Sequence, residues 1–140
     1  MRKIAVVYWS GTGNTQAMAE AVLEGAKGDG AEAELFTVSE FDASKIDSYN
    51  AIAFGCPAMG AEVLEEGEFQ PMFDSVEGML GGKKIGLFGS YGWGDGEWMR
   101  NWEETCRAAG VVLVNDSVTC NEAPDEEALD ACRLLGKALK

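Results

Sequence analysis

The chain has 140 residues, and its 24 acidic and 11 basic side chains give it a formal net charge of −13 at pH 7. This charge argues against nucleic acid and anionic membrane surfaces as partners, because both would repel the protein. A composition of 46% hydrophobic and 25% charged residues is typical of a folded globular protein, and the length suits one core. We therefore expect a single domain over residues 1–140 that is a monomer and has partners with basic surfaces.

The start of the chain and its cysteines bear on location and on metal binding. Arg2 and Lys3 precede an apolar stretch, as in a secretory signal, but this stretch meets Ser10 and Gly11 after only six residues. No window has the ~20 apolar residues of a membrane-spanning helix, so we expect a cytoplasmic protein. The absence of histidine and of a C-x-x-C spacing predicts no metal site and reduced, mostly buried thiols at Cys56, Cys106, Cys120 and Cys132.

Apolar runs bounded by turn residues alternate with segments of helical periodicity, a pattern that predicts an α/β fold with a parallel sheet. Five strands suffice for a doubly wound sheet with helices on both faces. In chain order we predict a strand over 3–8, a helix over 15–27, a strand over 34–38, a weak helical segment near Ser44, a strand over 51–55, a helix over 69–80, a strand over 85–89, a helix over 96–109, a strand over 111–114 continued at 117–120, and a helix over 125–139.

Glycine-bearing loops follow the first, third and fourth predicted strands, at residues 10–15, 55–62 and 89–96. The carboxyl ends of parallel strands meet at one edge of a sheet, and ligands bind there where neighbouring strands send their helices to opposite faces. The three loops are therefore predicted to form one ligand site.

The first loop, with the sequence SGTGNT, combines two glycines with three hydroxyls and an amide. Backbone N–H groups in such a turn, together with the N-terminus of the helix that follows, supply donors and partial positive charge for a phosphate. The loop contains no Lys or Arg, so the anion would be held by neutral donors.

Three common phosphate loops fit these residues poorly. The loop lacks the Lys of a nucleoside triphosphate site, and Gln16 stands where a dinucleotide fingerprint has its third glycine. A phosphatase loop with five residues between its Cys and its Arg is excluded, because the loop has neither residue.

The other two loops each place a large polarisable side chain among small residues, Met59 in one and Trp93 in the other. Such residues more often belong to a core. At the mouth of a phosphate site, however, they are suited to enclosing a flat ring.

With these features the sequence resembles the short-chain flavodoxins over essentially its whole length. The matching segments are VVYWSGTGNT, GCPAMGAEVLEE, KKIGLFGSYGWGDGEWMRNWEE and NEAPDEEALD. The resemblance implies a flavodoxin-like, doubly wound, five-stranded parallel sheet in the order 2-1-3-4-5, with non-covalently bound FMN as the cofactor.

The resemblance also implies where FMN would contact the chain. The first loop would hold the phosphate, Met59 and Trp93 would cover the two ring faces, Gly60 would turn its carbonyl toward N5–H, and Glu62 would accept from N3–H. The expected cofactor-binding residues are Ser10, Gly11, Thr12, Gly13, Asn14, Thr15, Pro57, Ala58, Met59, Gly60, Glu62, Ser90, Tyr91, Gly92, Trp93 and Gly94.

Two positions depart from the family pattern. Position 61 is Ala, where many relatives carry a polar or acidic residue, so only its backbone can contribute there. Pro57 lies just before the turn and is expected to stiffen it.

A site without an acid, base or nucleophile leaves the chemistry to the cofactor. The resemblance therefore implies an electron-transfer protein, not an enzyme, with no catalytic residues. It would be a low-potential one-electron carrier, shuttling between semiquinone and hydroquinone and substituting for ferredoxin. Its partners would be flavodoxin or ferredoxin reductases and oxidoreductases normally served by ferredoxin, steered by six acids at the loops: Glu62, Glu65, Glu66, Glu68, Asp95 and Glu97.

Two alternatives stay open. A small FMN-dependent NAD(P)H oxidoreductase would need a second nucleotide pocket, for which the 11 basic residues form no cluster in the sequence. A phosphate-sensing receiver module would need acids at the end of the first strand, where this chain has Trp9 and Ser10.

Overall fold

The computed structural model describes residues 2–59, 63–92 and 94–140. In these ranges no helix is both long and apolar enough to span a membrane. The strands are β1 (Arg2–Tyr8), β2 (Ala31–Thr37), β3 (Ala51–Gly55), β4 (Lys84–Tyr91), β5 (Val112–Leu113) and β6 (Val118–Asn121). The helices are α1 (Asn14–Ala26), α2 (Phe69–Glu77), α3 (Glu97–Ala108) and α4 (Glu126–Ala138), with 3₁₀ segments over Val38–Glu40 and Ala43–Ser48.

The sheet is parallel and has the order β2-β1-β3-β4-β5, with β6 also paired to β4. β5 pairs with the first residues of β4 and β6 with its last four, so two short strands share the fifth position. The predicted order 2-1-3-4-5 is confirmed, as is the interruption of the fifth strand.

Alternation along β1 explains why the sheet is covered on both faces. Ile4, Val6 and Tyr8 belong to a core shared with α1 and α4, whereas Ala5 and Val7 belong to a core shared with α2, α3 and the 3₁₀ segments. Successive side chains on a strand point to opposite faces, so an unbroken apolar run is buried on both. The helices after β1 and β3 thus lie on opposite faces, and a crevice opens between these neighbouring strands.

Two strand ends differ from the predicted ones by more than one residue. β2 begins at Ala31, not at residue 34, because it pairs with β1 over its whole length. At this sheet edge Glu32 and Glu34 alternate with small apolar residues, so the first half of the strand has no apolar run. β4 continues through Ser90 and Tyr91, because these residues pair with β6.

The α1 and α4 helices touch backbone to backbone through two glycines. A Cβ atom added to Gly25 would lie 1.9 Å from the Arg133 carbonyl oxygen, and one added to Gly136 would lie 2.1 Å from the Val22 carbonyl oxygen. The absence of side chains at these two positions sets the distance between the helices.

Candidate functional site

A cleft of about 520 Å³ opens at the carboxyl edge of the sheet, where the loops after β1, β3, β4 and β6 meet. Its described walls combine small, apolar and hydroxyl-bearing residues. They are Trp9, Gly11, Thr12, Asn14, Pro57, Ala58, Met59, Ser90, Tyr91, Gly92, Glu122 and Ala123. Among these lining residues there is no Lys or Arg, and Glu122 is the one charged side chain.

The loop between β1 and α1 is shaped by a local hydrogen bond. The Gly13 N–H donates to Ser10 Oγ at 3.0 Å, and Gly13 has a φ of 94°, in the left-handed region that glycine adopts without strain. Since a hydroxyl can accept and donate at once, Ser10 keeps its own proton for a ligand. The α1 helix begins without a side-chain cap or an acid in its first turn, which favours an anion at this end.

Two buried hydroxyls connect the first loop to the end of β4. Thr15 and Ser90 are 1% and 5% exposed, and their oxygens lie 3.4 Å apart. Residues 75 positions apart in sequence therefore meet beneath the cleft and fix the start of α1 relative to its neighbouring wall.

The loop after β3 is held at its root by Cys56. The Cys56 N–H donates to the Phe88 carbonyl at 3.1 Å, and the Cys56 carbonyl accepts from the Trp98 indole at 3.1 Å. Its sulfur accepts from the Glu65 N–H at 3.3 Å. Burial raises the pKa of the Cys56 thiol to about 12, so the thiol stays protonated and serves as a packing group.

Glycine at position 89 permits this close approach. A Cβ atom there would lie 2.1 Å from the Cys56 carbonyl oxygen, inside contact distance with backbone. One residue further on, the Ser90 carbonyl accepts from the Ala58 N–H at 3.0 Å. The walls formed by the second and third loops are therefore joined by main-chain contacts.

The ends of the second loop are pinned to each other. Met59 and Val63 exchange two backbone hydrogen bonds, at 2.8 and 3.1 Å, and both side chains stay exposed, by 36% and 40%. The sequence predictions for Gly60, Ala61, Glu62 and Trp93 lie outside the described residues. Met59 thus presents an exposed apolar side chain at the cleft, and Val63 presents another next to it, beside the predicted ring-binding segment.

Glu65 organises the start of α2. Its carboxylate accepts from the backbone N–H groups of Gly67, Glu68 and Phe69 at 2.7 to 2.8 Å. Partial burial raises the pKa of this carboxyl, but the three N–H donors outweigh burial and lower the pKa below its ordinary value. Glu65 is therefore an ionised cap on the helix that follows the second loop.

The other acids predicted at the rim have different surroundings. Asp95 forms an exposed ion pair with Arg100 at 3.0 Å, and Glu68 accepts from the Trp9 indole at 3.1 Å. Glu66 and Glu97 are exposed and have no side-chain partner within the described residues. Of the described rim acids, these two are the ones whose charge is open to a partner.

Nine of the predicted site residues line the cleft, from Gly11, Thr12 and Asn14 to Gly92. Ser10, Gly13 and Thr15 are not among the lining residues, but Ser10 and Gly13 are hydrogen-bonded to each other within the first loop and Thr15 is buried beside Ser90. Gly94, with a φ of 91°, shapes the third loop outside the cleft. Their contacts with a cofactor stay predictions.

The sequence prediction omits three lining residues, Trp9, Glu122 and Ala123. Trp9 directly follows β1, and the other two follow β6, so both groups lie at the carboxyl edge of the sheet. The sequence could have indicated these three residues, because every loop that follows a parallel strand reaches the carboxyl edge of the sheet. Glu122 also has a φ of 58°, which a non-glycine residue seldom adopts.

A second, smaller cavity of about 160 Å³ lies between α2 and α3 and is lined mainly by buried aromatic side chains and by polar side chains that are partly or fully exposed. Trp102, in its wall, has a buried indole nitrogen with no partner among the described residues. The cavity is too small for a nucleotide-sized group.

The thiols are free, with Cys56, Cys106 and Cys132 buried and Cys120 half-buried. No group of three or more metal-ligating side chains comes together in the part of the chain that the structure describes. The cleft described above combines a volume of about 520 Å³ with the hydroxyl and amide donors that a large phosphorylated ligand needs.

Comparison with known proteins identifies relatives over nearly the whole chain. The family model described as Flavodoxin matches residues 6–136. The flavodoxin of Clostridium beijerinckii is 42% identical over 134 residues, covering 96% of both chains. That of Megasphaera elsdenii is also 42% identical, over 135 residues and 96% of both chains.

Solved structures agree with this match. The solution structure of two-electron reduced Megasphaera elsdenii flavodoxin superposes with a TM-score of 0.88 at 41% identity, covering 97% of both chains. Similar domains also occur inside larger redox proteins, since a nitric oxide reductase of Moorella thermoacetica is 30% identical over 98% of this chain but only 35% of its own length.

Proposed function

This chain belongs to the flavodoxin family, whose members are FMN-binding electron carriers, and from that premise we propose that it carries single electrons at low potential on non-covalently bound FMN. In this role it substitutes for ferredoxin. The whole of residues 1–140 forms one FMN-binding domain. The observation that carries the proposal is the meeting of the neutral anion loop and an apolar rim in a single cleft.

The first loop fits a phosphate without a cation. Thr12 and Asn14 line the cleft, the Ser10 hydroxyl has an unused proton, and α1 begins with uncapped N–H groups. Hydrogen bonds from hydroxyls, an amide and the helix end together replace the missing Lys or Arg. We assign the phosphate to residues 10–15.

The second and third loops fit a flat ring. Pro57, Ala58 and Met59 of the second loop and Tyr91 and Gly92 at the third loop line the cleft together. In the proposal Met59 and Trp93 cover the ring faces, Gly60 and Glu62 contact the ring edge, and the backbone of residues 90–94 contacts its pyrimidine end. The assignments to Gly60, Glu62 and Trp93 rest on the family pattern.

Bound FMN supplies the one-electron chemistry, and the chain holds it and sets its potentials. The root of the second loop is rigid because Cys56, Phe88 and Trp98 fix its carbonyl and N–H groups. The redox-linked turn of the backbone that we assign to this loop falls between Met59 and Val63, which exchange two backbone hydrogen bonds. Such a turn suits Gly60, because glycine allows either sign of φ.

Nearby carboxylates favour a low second potential. At ~10 Å and an effective dielectric of ~20, each unpaired carboxylate disfavours added negative charge by roughly 1–2 kcal/mol before screening. Glu122 lines the cleft and so contributes, whereas Asp95 contributes less because Arg100 balances it.

The partners we propose are redox proteins with basic surfaces around their own cofactors, such as flavodoxin or ferredoxin reductases. The exposed Met59 side chain supplies an apolar contact at the cleft, with the exposed Val63 next to it, and Glu66 and Glu97 supply charge nearby. A small contact of this kind gives a weak, electrostatically steered encounter.

Titration of the apoprotein with FMN and with riboflavin tests the cofactor assignment. Because the first loop contributes only when a phosphate is present, FMN is expected to bind more tightly by a factor of about 10 or more. Thr12→Val, which removes one donor from the cleft wall, is expected to weaken FMN binding and leave riboflavin binding unchanged. Equal affinities for the two flavins would overturn the assignment.

Reduction of the FMN-bound protein by pyridine nucleotides distinguishes an electron carrier from an NAD(P)H oxidoreductase. NADH or NADPH alone is expected to leave the bound FMN oxidised under anaerobic conditions, whereas a flavoprotein reductase with NADPH reduces it. Rapid bleaching by the pyridine nucleotide alone would favour the oxidoreductase.

A further inference from the structure

The side chains of Trp9 and Glu68 join two elements that flank the cleft. The Trp9 indole N–H donates to Glu68 Oε1 at 3.1 Å, across 59 positions of sequence. Trp9 lies in the cleft wall just before the anion loop, and Glu68 directly precedes α2. Neither residue belongs to the family-derived set of cofactor contacts given above.

We propose that Glu68 is a positioning residue that fixes the Trp9 indole against the anion loop and so shapes the loop for a phosphate. The proposal rests on the assignment of FMN to the cleft. It adds a residue that does not itself line the cleft and acts through Trp9.

The main chains of Trp9 and Glu68 are each held by another hydrogen bond. The bond between their side chains therefore determines the orientation of the indole. The Trp9 N–H donates to the Gly55 carbonyl at 3.0 Å, which ties its backbone to the end of β3. The Glu68 N–H donates to Glu65 Oε1 at 2.7 Å, so the cap on α2 fixes the residue that holds the indole. A hydrogen bond to a carboxylate is directional and stronger than one between neutral groups.

The indole ring lies directly against the loop. A Cβ atom added at Gly11 would be 3.1 Å from Cη2 and 3.3 Å from Cζ3 of Trp9. On its other side Trp9 packs against the core that lies under α2 and α3. Rotation of the indole would therefore leave the loop backbone at Gly11 without its support.

Four variants separate positioning from charge. Glu68→Ala removes both the acceptor and the charge, Glu68→Gln keeps an acceptor but removes the charge, and Trp9→Phe keeps a ring but removes the donor. Glu20→Gln is the matched control: it removes a carboxylate near the end of β1, where Glu20 acts on Tyr8, and it makes no hydrogen bond within the described residues.

Dissociation constants for FMN and riboflavin are measured for each variant. Glu68→Ala and Trp9→Phe are expected to raise the FMN dissociation constant about 3- to 10-fold, with riboflavin changed less than about twofold. The double variant is expected to be no weaker than either single variant, because the two residues act as one unit. Glu68→Gln and Glu20→Gln are expected to stay within about twofold of the parent protein.

A measurement on the apoprotein tests the hydrogen bond without any flavin. The Trp9 indole proton, assigned by its loss in Trp9→Phe, is expected to shift in the ¹H–¹⁵N spectrum of Glu68→Ala and to move far less in Glu20→Gln. An unshifted indole proton, equal effects of Glu68→Ala and Glu68→Gln, or equal losses for both flavins would each overturn the positioning role. Equal binding of both flavins by the parent protein would instead overturn the proposed function.

Discussion

At the scale of single residues, Glu65 shows how an acid beside the cleft can serve the fold. Its carboxylate accepts hydrogen bonds from three N–H groups at the start of α2. Within the described residues, Glu68 at the N-cap position makes no side-chain hydrogen bond that would cap this helix. Since the pKa of Glu65 in the folded protein is lowered from 4.5, its ionised form stabilises the fold.

We predict that Glu65→Ala lowers the free energy of unfolding at pH 7 by about 1–2 kcal/mol, as for the loss of a helix cap. The contribution of a carboxylate with a lowered folded pKa is complete above about pH 4.5 and is lost as the pH falls through the folded pKa. The difference between parent and variant should therefore shrink below pH 4.5. Urea unfolding between pH 7 and pH 3 measures it.

The neighbouring Glu66→Ala serves as the control for Glu65. Glu66 is exposed and makes no side-chain hydrogen bond in the described ranges, so its loss should change stability by less than about 0.5 kcal/mol at any of these pH values. Equal effects of the two substitutions would mean that net charge, and not capping, is responsible.

At the scale of elements, the contact between α1 and α4 depends on two residues that have no side chain. Alanine normally stabilises a helix relative to glycine, by roughly 0.5–1 kcal/mol in the helix interior. At Gly25 and Gly136 the added methyl group would instead meet backbone atoms of the facing helix, at 1.9 and 2.1 Å. The packing cost therefore opposes the propensity gain.

We predict that Gly25→Ala lowers the free energy of unfolding by about 1–3 kcal/mol, because the helices must move apart. Gly78→Ala is the matched control, since Gly78 directly follows α2 with a φ of −68° and an added Cβ there would meet nothing within 4 Å. Chemical denaturation of both variants gives the comparison. A stabilised Gly25→Ala would show that the two helices can separate without loss.

Several elements could be predicted from the sequence because a single local property determines them. β1 and β3 are buried on both faces, so their apolar runs are unbroken, and Asp125 and the acids after it mark the start of α4. The anion loop could be predicted for the same reason, because its glycines and hydroxyls are adjacent in sequence.

Other features depend on residues that are distant in sequence. Trp9 and Glu68 pair over 59 positions, and neither has a local pattern that indicates a partner. Glu65 is one of several acids in its segment, and only the path of the chain turns its carboxylate onto the N–H groups of α2. The residues around Gly25 in α1 do not indicate why glycine is needed there, and only the close contact with α4 explains it.

At the scale of the whole molecule, basic side chains that begin strands or lie toward the C-terminal ends of helices are at the edge of the sheet away from the cleft, where some of them pair with acids, as Lys140 does with Asp29 and Arg133 with Glu24. Arg2 and Lys3 begin β1, Lys83 precedes β4 and Lys84 begins it. Further basic residues lie near the helix ends at the same edge, where the strands begin. The cleft opens at the other edge, beside Glu66, Glu97 and Glu122. The resulting field orients a basic partner toward the cleft.

We predict that electron transfer to a basic partner slows at least about tenfold as ionic strength rises from ~10 mM to ~500 mM, because the Debye length shrinks from ~30 Å to a few ångströms. Charge reversal of Glu66 and Glu97 to Lys should flatten this dependence and leave the flavin spectrum unchanged. Stopped-flow kinetics with a flavoprotein reductase measures both. Glu65 and Glu68 are unsuitable for reversal, since their carboxylates hold hydrogen bonds.

A rate that does not change with salt for the parent protein would contradict steering by the acidic end. Reversal of Glu32 and Glu104, two exposed acids outside the cleft and its loops, controls for net charge. It changes the total charge by the same amount as the rim variant and should preserve most of the salt dependence.

The division of the fifth strand between β5 and β6 affects how the sheet edge opens. β5 is hydrogen-bonded to the beginning of β4 and β6 to its end, so local opening of one of these short strands leaves the hydrogen bonds of the other in place. Amide exchange along this edge should therefore follow two separate opening free energies. The β6 piece, which continues into the cleft wall at Glu122, can be protected by a bound ligand while β5 goes on exchanging at its own rate.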